Sequence, residues 1–330
     1  MRFQSTIRPL AMTGIVTAFA VTAAAAQGNT QCAAYGGGLF GGAQARNICN
    51  AAVDAASLFT PVAGVLITAG NPFLGATGGL GGLGHLDLTV RANATEVVIP
   101  DFSYNGLGTT VQAQQKLFAP APLVEGALGI FRGVGHGQFA VDLLGSAQLL
   151  PTKLIDDVHI DVNANHVGSI ALGFGVGGRL TVLPERRGVP GITVSVMHRA
   201  LPRIGVGDVL EGDHFSYITA LGATEYRATA ATRIGALRLG AGGGWNHYST
   251  DAEIIFTDPA TGEEQPPIDL SIHDTRAIGY VDGGIAVGLF YLIGEAGAQR
   301  GKDLGLVTTF ADNDPTETRL FASVGFRFGF

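Results

Sequence analysis

Residues 318–330 read TRLFASVGFRFGF, and their apolar and polar side chains alternate along the segment. One face of a strand built from it is apolar, with Leu320, Ala322, Val324, Phe326, Phe328 and Phe330. The other face is polar or small, with Arg319, Ser323, Gly325 and Arg327. A period of two indicates a β-strand whose two faces meet different environments. The segment therefore predicts a strand that separates an apolar medium from a polar one.

The same period recurs along residues 81–330, for example in HLDLTVRANA at 85–94. Short connections near 133–137, 184–191 and 232–235 alternate with long polar ones near 100–120, 150–166 and 302–318. That alternation is typical of transmembrane β-barrels. The sequence predicts an all-β fold, an antiparallel transmembrane barrel of about ten strands within a range of eight to twelve. The ten predicted spans lie near 82–97, 121–132, 137–149, 167–183, 191–200, 214–231, 235–255, 270–286, 289–301 and 318–330.

The first 26 residues have the pattern of a secretory signal peptide. Arg2 and Arg8 precede a short apolar run, and Ala24–Ala26 supply a small-residue cleavage site. We expect residues 1–26 to be removed during Sec-dependent export. An even number of strands then predicts that both chain ends lie on the periplasmic side.

Residues 27–80 precede the alternating region and form a predicted N-terminal segment that plugs or caps the barrel. Residues 43–59 have apolar side chains near helical spacing and predict a short amphipathic helix. Residues 51–70 are a poor transmembrane helix, because they contain Asp54 and Pro61. The chain has two cysteines, Cys32 and Cys49. Export to an oxidising compartment favours a disulfide between them; two free buried thiols are the alternative.

The composition excludes one class of partner. The net charge is −7, and loss of Arg2 and Arg8 would make it more negative, which argues against nucleic-acid binding. Charged residues make up 14% of the chain, whereas about a quarter is typical of soluble domains. The 50 glycines and the low charge fit a thin wall between lipid and a narrow lumen, although a large soluble β-sandwich has a similar composition.

Residues 318–330 resemble the terminal strand of bacterial outer-membrane β-barrel proteins, which the barrel-assembly machinery recognises. The matching positions are Phe326, Phe328 and Phe330. The resemblance implies location in a Gram-negative-type outer membrane. The implied partners are outer-membrane lipid, lipopolysaccharide and, during biogenesis, the assembly machinery. It implies no substrate.

The polar faces of the predicted strands give a set of candidate lumen residues for binding solute or forming ion pairs. They are His85, Asp87, Arg91, Arg179, Arg199, Arg238, Arg319 and Arg327. A basic ladder of this kind favours anions in a pore. Alternatively, the arginines pair with carboxylates such as Glu125, Asp142, Asp282 and Glu295 and fill a closed lumen, which suits a narrow barrel. Candidate interfacial aromatic residues are Trp245, Tyr248, Tyr280 and Tyr291.

The sequence contains one candidate metal-binding site. Asp161, Asn163 and Asn165 repeat the start of a calcium-binding loop, but the later ligands of that loop are missing. The sequence therefore predicts no cofactor, with Ca²⁺ in an outer loop as the exception. Hydrolase, zinc-protease and phosphate-loop motifs are also missing. The chain is therefore predicted not to be an enzyme.

Two functions are compatible with this pattern. The first is a channel or transporter for a small or hydrophobic solute, with residues 27–80 as plug or gate. The second is a structural or adhesive outer-membrane barrel with a filled lumen and no transport.

Overall fold

A computed structural model describes residues 27–36, 42–76, 78–151, 158–160, 166–167, 170–186 and 188–329. Three predicted features lie outside these ranges. They are the signal peptide at 1–26, the terminal Phe330, and the calcium site of Asp161, Asn163 and Asn165.

Ten long antiparallel strands form a closed barrel, which confirms the predicted fold class and strand number. Each strand pairs with its neighbours along the chain, and the last strand pairs with the first over nine residue pairs from Asp87↔Gly329 to Thr95↔Phe321. The wall strands are β1 (Leu86–Pro100), β2 (Ala113–Phe131), β3 (Val141–Pro151), β4 (Ile170–Leu183), β5 (Gly191–Ala200), β6 (Phe215–Ile234), β7 (Leu237–Phe256), β8 (Ile268–Val287), β9 (Phe290–Gln299) and β10 (Arg319–Gly329).

The two ends of the barrel differ in their connections. At the end that we call the turn end, Gly235–Ala236 joins β6 to β7 and Gly288–Leu289 joins β8 to β9. Gly235 and Gly288 both have a φ of 62°, a left-handed conformation that tight hairpins need and glycine adopts without strain. At the opposite end, the loop end, five connections of eleven to nineteen residues join the strands. Short strands at 110–111, 158–160, 204–206 and 309–310 add pairing there.

The wall reverses its polarity along its length. In the half near the turn end, outward side chains are apolar, as with Leu239 and Trp245 of β7, while the inward Asn246 is fully buried. In the half near the loop end, the inward Phe256 is fully buried and the outward Asp251 is exposed. One half is therefore apolar outside and polar inside, and the other has the opposite arrangement.

A long helix occupies the lumen. Helix α1 (Gln27–Cys32) and a 3₁₀ turn (Ala33–Gly36) precede helix α2 (Gly42–Thr68), which has 27 residues. By length and composition α2 is apolar enough to cross a membrane, yet most of it is buried within the barrel. It contacts β1, β2, β6, β7 and β8.

The predicted helix at 43–59 is present, but α2 is longer, so the predicted extent is wrong. The helix continues through Pro61 to Thr68. An interior proline lacks an N–H donor and costs about 3 kcal/mol in an isolated helix. The wall holds this turn of the helix in place: Gln299 of β9 donates a hydrogen bond to the Pro61 carbonyl at 3.2 Å. Burial against the barrel outweighs the local preference of the sequence.

At the loop end the helix belongs to a hydrophobic core. Ile48 and Cys49 are fully buried in one cluster with Phe102, Phe215 and Phe256. Phe102 and Phe215 pack ring against ring at 5.0 Å. This half of the barrel resembles the inside of a soluble protein.

The first described residues lie at the loop end. The ring of Tyr35 packs edge-on against Phe256, the last residue of β7, at 5.0 Å. Asn47 donates to the carbonyl of Gly106 in the long β1–β2 connection at 2.9 Å. The prediction that both ends of the chain lie on one side is therefore wrong for residues 27–36. That prediction was based on the ten strands alone and did not include the passage of α2 through the lumen.

Close packing of α2 against the wall depends on a glycine. A methyl group added at Gly64 would overlap the ring of Tyr248. We expect Gly64→Ala to destabilise the folded barrel by about 1–3 kcal/mol through overpacking, although alanine favours helix. Unfolding is measured by the temperature at which the folded band disappears on a gel.

Gly145→Ala is the matched control for this substitution. A methyl group there would lie no closer than 4.0 Å to another atom, so we expect little change. Equal unfolding temperatures for the two variants would contradict the close contact.

Candidate functional site

The end of helix α2 is held by two charged side chains of the wall. Arg227 of β6 donates to the carbonyl oxygens of Gly70, at 2.6 Å, and Ala69, at 3.1 Å. Glu295 of β9 accepts hydrogen bonds from the backbone N–H of Gly70, at 3.0 Å, and Asn71, at 2.6 Å. A guanidinium at the carboxyl end of a helix also interacts favourably with the helix dipole. Both hydrogen-bonding groups of Gly70 are thus bound to the barrel.

Arg227 and Glu295 are the two ends of a belt of alternating charge. Glu295 lies 3.6 Å from Arg91, and Arg91 lies 2.9 Å from Glu125. Arg199 lies 2.8 Å from Glu125 and also pairs with Glu225, which lies 3.4 Å from Arg227. None of the six residues is more than 6% exposed. In order, the belt is Glu295, Arg91, Glu125, Arg199, Glu225 and Arg227.

The belt follows from the period of two. Glu225 and Arg227 are two residues apart on β6, so both point inward. Desolvating a charge is costly, and a buried charge is tolerated when opposite charges and hydrogen bonds surround it. Three glutamates and three arginines leave the belt formally neutral.

Along its length, α2 is bound by polar side chains that reach its backbone. Asn93 of β1 donates to the carbonyl of Leu66 at 3.0 Å. The Tyr248 hydroxyl donates to Gln299 at 2.5 Å, and Gln299 in turn binds Pro61. These contacts bind the turn at Pro61 and the last turn of α2 to the wall.

Nearer the loop end, α2 also binds a long connection. Asp54 accepts hydrogen bonds from the backbone N–H groups of Val307, at 2.9 Å, and Thr308, at 2.7 Å. The carboxylate is buried, and the β9–β10 connection folds over it. Helix and loop therefore close the loop end together.

Beyond Gly70 the chain continues toward the turn end between stacked cations. The ring of Phe73 lies 3.8 Å from the guanidinium carbon of Arg179 and 4.4 Å from that of Arg327. Arg179 pairs with Asp142 at 2.6 Å, and Arg327 pairs with Asp87. Aromatic faces attract cations, so Phe73 is held from two sides.

A cavity of about 960 Å³ opens below this point at the turn end. It is lined by residues 78–81, which lead from the plug toward β1, and by wall side chains that include His85, Arg132, His136, Arg238 and Tyr291.

The structure places the predicted lumen residues at four levels. Arg91 and Arg199 belong to the belt. Arg179 and Arg327 lie against Phe73, and Asp87 pairs with Arg327. Arg319, near the loop end, pairs with Asn313. His85 precedes β1 and lines the turn-end cavity, as does the half-buried Arg238.

Sequence reasoning missed Arg227 and Asn246, which bind the plug, and Glu225, which pairs with Arg227. Their inward positions on β6 and β7 follow the same alternation, which was the available signal. The assignment of Tyr248 and Tyr280 to the interface is wrong. Both side chains point inward and are buried, because the plug supplies apolar contacts that an empty lumen would lack. Trp245 is 60% exposed and faces outward.

The two cysteines form a disulfide between α1 and α2, as predicted, with their Cα atoms 5.6 Å apart. Within the described ranges, no group of three or more His, Cys, Asp or Glu side chains is arranged to hold a metal ion. Phe326 and Phe328 both pack against Phe290, at 5.5 and 6.0 Å. Their role as an assembly signal stays a prediction.

Removing one belt residue tests how firmly the plug is held. We expect Arg227→Met to destabilise the barrel by about 3–5 kcal/mol, because it leaves the carbonyls of Ala69 and Gly70 without their buried donor and removes one of the two cations beside Glu225. Gel mobility across a temperature series measures the change.

The control for this variant is Lys116→Met. Lys116 pairs with Glu96 at 3.3 Å, and both side chains are close to half exposed. An exposed pair contributes about 0–1 kcal/mol. Similar losses in both variants would show that the belt does not hold the plug.

No protein-family model matches the sequence, and no curated protein is similar to it. Several solved barrels resemble it in fold. The outer membrane protease OmpT from Escherichia coli is 10% identical with a TM-score of 0.35, covering 74% of this chain and 96% of its own. The translocator domain of the autotransporter NalP from Neisseria meningitidis is 10% identical with a TM-score of 0.36, covering 76% and 89%. The copper transporter OprC is 11% identical with a TM-score of 0.29, covering 76% and 42%.

These similarities concern architecture and carry no site across. They do correct one prediction, that the chain is not an enzyme. Because a barrel similar to this chain is a protease, missing sequence motifs do not exclude an activity, and the prediction is withdrawn.

Proposed function

We propose that the chain is an outer-membrane barrel, closed by its own helix, that presents a compact loop-end cap and residues 27–36 at the cell surface. This is the structural or adhesive function of the two considered. The observation that carries it is the position of α2, which fills the lumen and is fixed at both ends.

The outer face near the turn end supports a position in lipid. Large apolar side chains are exposed there on every wall strand, and an outward apolar band about 25 Å tall is the mark of a membrane barrel. Tyr226 and Trp245, half exposed or more, pair across β6 and β7. The next outward pair toward the loop end is Thr224 and His247. Aromatic residues at such a border suit the interface with lipid headgroups, including lipopolysaccharide.

Two further features support the outer membrane. The disulfide between Cys32 and Cys49 is stable in an oxidising compartment, and residues 1–26 resemble a signal peptide. In outer-membrane barrels short turns face the periplasm and long loops face outward. That orientation puts the loop end, with the disulfide and residues 27–36, at the cell surface.

Transport of a small or hydrophobic solute is the second candidate function. The observation that favours it is the segment between α2 and β1, in which seven of the residues 70–84 are glycine. Glycine allows many backbone conformations. In this proposal the plug moves as a gate while the wall stays closed.

Conductance across a planar bilayer separates the two functions. We expect the full chain to give no stable conducting steps, because α2 fills the lumen. A double variant Asp54→Cys/Thr308→Cys is designed to lock helix to loop, since the two residues are neighbours, with the Asp54 carboxylate 2.7 Å from the Thr308 N–H; a thiol assay checks that the disulfide has formed. Steps that vanish in the oxidised lock would favour the gate, and steps that persist would contradict a closed lumen. Asp54→Cys alone is the control.

Orientation is tested with epitope tags on intact cells. We expect an antibody to bind a tag inserted after Gln27, because that segment packs at the loop end. A tag at Gly288, in a two-residue turn, should be reached only after the cells are opened. The reverse pattern, or neither tag in the membrane fraction, would contradict the proposed placement.

A further inference from the structure

The turn-end cavity is positively charged in a chain whose net charge is −7. Arg132, Arg238 and Arg327 line it, with His85 and His136. Its acidic lining residues are Asp87 and Glu185. Local excess of cations in an acidic protein needs a physical explanation.

The two carboxylates are already engaged. Asp87 pairs with Arg327. Glu185 accepts the backbone N–H of Arg233, and the hydroxyl of Thr232 lies at 3.5 Å. Neither is paired with Arg132 or Arg238, so these two charges are not neutralised by the cavity wall.

Arg238 is held in place by neutral groups. It donates to the Tyr291 hydroxyl at 2.8 Å and to the carbonyl of Gly75 at 3.3 Å, and it lies 4.2 Å from the centre of the Tyr291 ring. Among the described residues no carboxylate oxygen lies within salt-bridge distance of it, and its buried Nε has no acceptor.

Arg327 is also short of acceptors. It is 6% exposed, and its Nη1 has no hydrogen-bond partner within the described part of the chain. Arg238 lines the same cavity, so its positive charge and that of Arg327 repel each other. Unrelieved repulsion between like charges costs free energy. An anion bound in the cavity beside both arginines would relieve it.

We propose that the turn-end cavity binds a phosphate-type oxyanion, with Arg238 as its main ligand and Arg132 and Arg327 beside it. Guanidinium groups bind phosphate through two parallel N–H donors, which gives both strength and geometry. The volume of about 960 Å³ leaves room for a group attached to the phosphate. Free phosphate and the phosphate of a lipid headgroup share this chemistry.

Equilibrium dialysis of the full chain with radiolabelled inorganic phosphate tests the proposal, in uncharged detergent at pH 7 and low salt. We expect saturable binding of about one phosphate per chain. Arg238→Gln should weaken it by about tenfold or more, as expected for loss of charge-assisted hydrogen bonds. Arg132→Gln should weaken it less, because Arg132 is exposed.

Arg300→Gln is the control, since it removes the same charge from an exposed residue at the loop end. A second arm adds phosphatidylglycerol to the micelles: competition with the labelled phosphate would identify a headgroup as a ligand of the same site. Gel mobility reports whether each variant is folded, and the Arg132 variant provides the test if the Arg238 variant is not. No saturable binding, or equal weakening by Arg300→Gln and the cavity variants, would overturn the proposal.

Discussion

Arg227 and Glu295 hold the backbone at Gly70 from opposite sides, and the rest of the lumen is arranged around that contact. They are the ends of a belt of six alternating charges borne by five wall strands. Each belt residue is buried and has lost its hydration, so the charges beside it must stabilise its own charge. The plug thus completes the wall, and the wall fixes where the plug ends. A closed lumen follows from that mutual dependence.

The reversal of polarity along the wall explains the unusual composition. In the half near the turn end, the few charged side chains point inward and pair with one another, while leucine, valine and tryptophan side chains are exposed outside. The other half packs aromatic residues around the start of α2, like a soluble core. One set of strands serves both, because residues such as Asn246 and Tyr248 on β7 share an inward face at different heights. The same alternation therefore places apolar side chains on the outer face in one half of the barrel and on the inner face in the other.

Features that depend on the local alternation of side chains could be predicted from the sequence. Alternation in β1 and β10 predicts strands and their faces, and the spacing of loops predicts ten of them. Export logic predicts the disulfide. Contacts between distant segments were not accessible in the same way. The sequence around Pro61 does not predict that Gln299 binds its carbonyl. The sequence around Tyr248 does not predict that a helix packs against its ring. The direction of α2 through the lumen is likewise fixed by packing at its two ends.

The passage of α2 through the lumen makes the number of crossings odd. Ten strands alone would return the chain to the end from which it started, whereas one helix and ten strands place residues 27–36 at the loop end and Gly329 at the turn end. The chain is in this sense a mechanical link between the two faces of the barrel. A pull on the segment held by Cys32–Cys49 would run along the helix and reach the charged belt at Gly70. Load would fall first on the contacts of Asp54 with Val307 and Thr308, and then on the ion pairs of the belt.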